Sequence, residues 1–78
     1  MLNFEQTIKN ETLQARYLIL ELAAILDRLD EAAARDSRSA GDDARVKQMA
    51  EAIAVLATPS EKPDRAERIL RQYSDPER

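Results

Sequence analysis

Residues 4 to 34 carry the spacing of one uninterrupted amphipathic helix, and that helix is too long for the rest of the chain. At ~1.5 Å per residue it spans roughly 45 Å. A compact domain of this size has a radius of gyration of only ~11–12 Å. Stepping 100° per residue places Phe4, Ile8, Ala15, Leu18, Ile19, Leu22, Ile25, Leu26, Leu29 and Ala33 in one arc covering about a third of the circle. Leu13, Tyr17, Leu20 and Ala24 form a second, shorter apolar strip on the opposite side. A rod with two apolar faces needs a cover on each. One chain of 78 residues has little else to supply it.

Small scaffolds compensate for a thin core with disulfides, metals or oligomers. This sequence has no Cys and no His, so disulfides and thiolate sites are excluded, and the commonest general base and transition-metal ligand are missing. Oligomerisation is the remaining device. A homodimer, or a higher even oligomer, is therefore expected, and no cofactor or metal is expected. Lack of Cys fits a cytoplasmic protein.

Fifteen acidic and twelve basic residues leave a net charge of −3 with both signs mixed, which disfavours generic nucleic-acid binding. The first residues show no basic stretch followed by an apolar one, so no signal peptide is expected. The most apolar window, Tyr17 to Leu26, is interrupted by Glu21 and is far short of the ~20 residues a membrane span needs.

The single Gly and three Pro sit at breaks between periodic segments. Residues 36–42 read as a polar loop and 58–62 as a second break. Period-2 alternation is absent, and good helix formers dominate. The expected fold is all-α, one helical domain over residues 1–78. Its helices span about 4–34, 43–57 and 63–73, followed by a polar tail at 74–78. The long N-terminal helix packs antiparallel with the second, the short third helix folds on, and the whole dimerises into a helical bundle.

Asn3 and Gln6 have capping-box spacing at the start of the first helix. Asp42 or Asp43 caps the second, whose Val46, Met49, Ala50, Ile53, Leu56 and Ala57 share a face, with Lys47, Gln48 and Glu51 turned away. Pro63 and Asp64 suit the first turn of the third, whose stripe is Ala66, Ile69, Leu70 and Tyr73.

Five features invite a functional reading. The strip Leu13, Tyr17, Leu20 and Ala24 is the candidate interface, because apolar patches on small proteins mark interaction sites. Glu11 falls inside the main apolar arc; a lone carboxylate without a His, Cys or second acid beside it is better read as exposed or paired than as catalytic. Asp27, Asp30 and Glu31 cluster on one face, but a helix surface cannot wrap a hard cation, and Glu-x-x-His chemistry needs a His. Arg65, Arg68 and Arg71 share a side of the third helix and would be the DNA-reading residues of a helix-turn-helix. The Pro-containing break before them and the acidic total weigh against it. Ser37 and Ser39, flanked by Arg35 and Arg38, suit ordinary loop chemistry. No phosphate loop or nucleophile elbow is present. The function expected is non-enzymatic: a protein–protein interaction, scaffold or regulatory module acting as a small homodimer. The alternative is a nucleic-acid-associated regulator using the three arginines.

Overall fold

The computed structural model describes residues 3–74. These residues form three α-helices and no strand: α1 (Phe4–Arg35), α2 (Ala44–Ala57) and α3 (Arg65–Ser74). A short 3₁₀ turn, Ala40–Asp42, precedes α2. The expected all-α class and the three helices are present. The chain divides into two compact units, Met1–Ala40 and Gly41–Arg78.

In the first unit, the start of α1 is a complete capping box. The Gln6 amide donates to Oδ1 of Asn3 at 2.9 Å, and the Asn3 amide donates to Oε1 of Gln6 at 3.2 Å. Two of the donors that a helix start leaves without intrahelical partners are thereby satisfied. The other end closes as a Schellman motif. The Ser37 amide donates to the Ala34 carbonyl at 3.0 Å and the Arg38 amide to the Ala33 carbonyl at 2.8 Å. This geometry requires a left-handed residue, and Ser37 takes it with φ of 55°. The single glycine, Gly41, lies in the 3₁₀ turn instead and does not have positive φ.

A side chain with a Cβ is disfavoured in that conformation. Ser37→Gly is accordingly expected to stabilise the end of α1 by ~0.5–1 kcal/mol. Urea denaturation should show a higher midpoint with an unchanged slope. A lower midpoint would mean that Ser37 contributes something glycine cannot.

No residue of α1 is buried. Leu22, Leu26, Leu29 and Ala33, all in the main apolar arc, are half-buried. The N-terminal part of that arc, including Phe4, Ile8, Leu18 and Ile19, is exposed.

The second unit is an antiparallel hairpin of α2 and α3. Asp43 caps α2, its Oδ1 accepting from the Arg45 amide at 2.8 Å. Thr58 closes it, with its hydroxyl donating to the Ala54 carbonyl at 2.7 Å. α3 starts two residues later than Pro63. The Asp64 amide donates back to the Lys62 carbonyl at 2.9 Å, while the Asp64 carbonyl accepts from the Arg68 amide at 3.0 Å. Asp64 is therefore the cap, not a first-turn residue. Ser74 is the last residue of α3, and the rest of the expected polar tail, residues 75–78, lies outside the described residues.

The hairpin half-buries Val46, Met49 and Ile53 of the expected α2 face and Ile69 of the α3 stripe, and with them residues outside those rows. Gln48, expected to turn away, is half-buried. Its Nε2 donates to the Gln72 carbonyl at 3.4 Å, and Gln72 Nε2 donates to the Gln48 carbonyl at 2.7 Å. One turn from this pair, in opposite directions along the two helices, Ala52 comes opposite Arg68. Ala52, 8% exposed, is buried, and Arg68 is half-buried. A small residue at 52 leaves room for the arginine stem, which packs as an apolar chain while its head reaches a polar partner. The cost is that Leu70 is 68% exposed, and Leu56 and Tyr73 are exposed with it.

Candidate functional site

The strip on α1 is the largest candidate surface the sequence singles out. Leu13, Tyr17, Leu20 and Ala24 follow one another at spacings of four, three and four, the pattern of a helix seam that seats lengthwise on another helix. Leu13 is 50%, Tyr17 61% and Leu20 59% exposed, and Ala24 is exposed too. Exposed leucines scattered singly are unremarkable; here they form a regular row on one helix. Tyr17 suits such a row, because its ring gives apolar area while its hydroxyl stays wet.

Charged residues border the strip. Lys9, Arg16 and Asp27 lie on one flank and Glu21 and Arg28 on the other, all exposed. Glu11 is exposed, as is the N-terminal part of the arc in which it sits. Asp27, Asp30 and Glu31 are exposed on the last turns of α1. Among the described residues, no three His, Cys, Asp or Glu side chains converge as a metal-binding group.

The three arginines of α3 are differently engaged. Arg65 is the exposed first residue. Arg68 Nε lies 3.0 Å from Asp64 Oδ1, close enough for an ion pair but not aligned for a hydrogen bond. Its Nη2 donates to the Thr58 carbonyl at 3.3 Å. Arg71 pairs with Glu67 one turn back. Arg68 thus ties α3 to the end of α2. An open cleft of about 410 Å³ runs along the first half of α2, lined by Ala44, Arg45, Lys47, Gln48 and Glu51.

Two acids have shifted titration. The Arg45 side chain, hydrogen-bonded to both carboxylate oxygens of Asp43 at 3.0 and 2.9 Å, holds that carboxyl far below the usual range, and the Arg45 amide adds to the effect. The Ser60 hydroxyl, 2.8 Å from Asp64 Oδ1, lowers the Asp64 carboxyl, with the Arg68 charge helping. These are cap chemistry. The Asp43–Arg45 pair is the contact that periodicity could not display, because residues two apart do not share a helix face; the cap lies outside the helix, which is why they meet.

Both carboxyls ionise more readily in the folded chain than in the unfolded one. Their stabilising effect is therefore complete above the unfolded value, about 4, and is lost as pH falls through the lower folded values. Helical content of α2 and α3 is expected to fray from about pH 4 downward, and Asp43→Asn should flatten the profile at the start of α2. Amide exchange at Arg45 measured between pH 5 and 2 checks this. Equal protection across that range would mean that the cap does not depend on ionised Asp43.

Compared with protein-family models, curated proteins and solved structures, the chain has no match. Among the described residues, no helix is long and apolar enough to cross a membrane.

Proposed function

We propose that the protein is a non-enzymatic, self-associating helical module that acts by contact with other protein chains. The observation that carries this is α1: 32 residues long, apolar on two faces, and without one buried residue. Such an element contributes little to its own chain's core and offers much to a second chain. The contact surface we assign is Leu13, Tyr17, Leu20 and Ala24. A homodimer would build a helical bundle around paired α1 helices, the arrangement in which long helices of small chains most readily cover their apolar sides. The absence of Cys suits a reducing compartment, and on that ground we place the protein in the cytoplasm.

The nucleic-acid alternative rests on Arg65, Arg68 and Arg71. Arg68 is directed to Asp64 and the Thr58 carbonyl and Arg71 to Glu67, while Arg65 is in no ion pair among the described residues. That arrangement favours a structural role for the arginines over phosphate contact.

Sedimentation equilibrium at micromolar concentration tests the proposal. A mass of twice the chain, or a higher even multiple, is the expected result. A folded monomer at that concentration would overturn it.

A further inference from the structure

We draw no further inference here: the strongest candidate, the apolar surface of α1, where Leu13, Tyr17 and Leu20 on one face and Phe4, Leu18 and Ile19 on the other are alike exposed, carries none because nothing in the structure shows what covers either face.

Discussion

Leu20→Glu is expected to weaken self-association at least tenfold, about 1.4 kcal/mol. Leu20 sits 59% exposed on the strip of α1, about 160° around the axis from Leu22. In a paired strip a carboxylate there would be desolvated among apolar side chains. In an isolated chain the same carboxylate stays hydrated and the helix is hardly affected, since Glu is a good helix former. The substitution therefore separates the oligomer from the fold. Sedimentation equilibrium should move toward the monomer, with far-UV helicity retained if the monomer is stable; an obligate dimer would lose both together. If the variant sediments and melts as the unsubstituted protein does, the strip is ordinary surface and the two-faced argument about α1 fails.

Ala52→Lys should have the largest effect on folding, a destabilisation of the second unit by ~2–4 kcal/mol. Lys costs little as a helix former, so the loss would report on tertiary contact. Ala52 is buried opposite the half-buried Arg68. A long cationic chain at 52 would collide with the arginine stem and place like charges together. The hairpin's cross-helix ties include the Gln48–Gln72 amide bonds and the Arg68 hydrogen bond to Thr58, all close to this position. Circular dichroism at 222 nm should lose the contribution of α2 and α3, less than half of the helical residues, while α1 remains. An unchanged melting profile would show that α2 and α3 do not pack through Ala52. Ala52→Gly is a useful companion, expected to cost only ~1 kcal/mol through helix propensity.

Both predictions depend on faces, and faces are where sequence and structure part company. The apolar strip on α1 was legible because helical period alone places Leu13, Tyr17, Leu20 and Ala24 in one row. That they are exposed was not legible: period gives the angle at which a side chain leaves the axis, and says nothing of what stands opposite. The same limit explains α2 and α3. The apolar stripes ending at Leu56 and at Leu70 and Tyr73 are present as rows, yet these three residues are exposed. Val46, Met49, Ile53 and Ile69 of those rows are half-buried, and beside them the hairpin turns Gln48 and Gln72 toward each other, 24 residues apart in the chain, because each amide can satisfy the other helix's carbonyl.

What the sequence determined by itself is the set of helices and most of their ends. Asn3 with Gln6 starts α1, Asp43 caps α2, and the Pro-flanked break separates α2 from α3. These are short-range decisions, made between residues two to four apart, and the chemistry needed to make them is adjacent in the chain. The structure adds that Ser37, not Gly41, takes the left-handed residue after α1 and that Asp64 rather than Pro63 opens α3, while the tertiary structure alone decided that Gln48 turns to Gln72 and that a small residue at 52 is buried. Each of those depends on which carbonyl, hydroxyl or side chain arrives once the backbone has turned, a matter of positions in space that the order of residues specifies only through the fold.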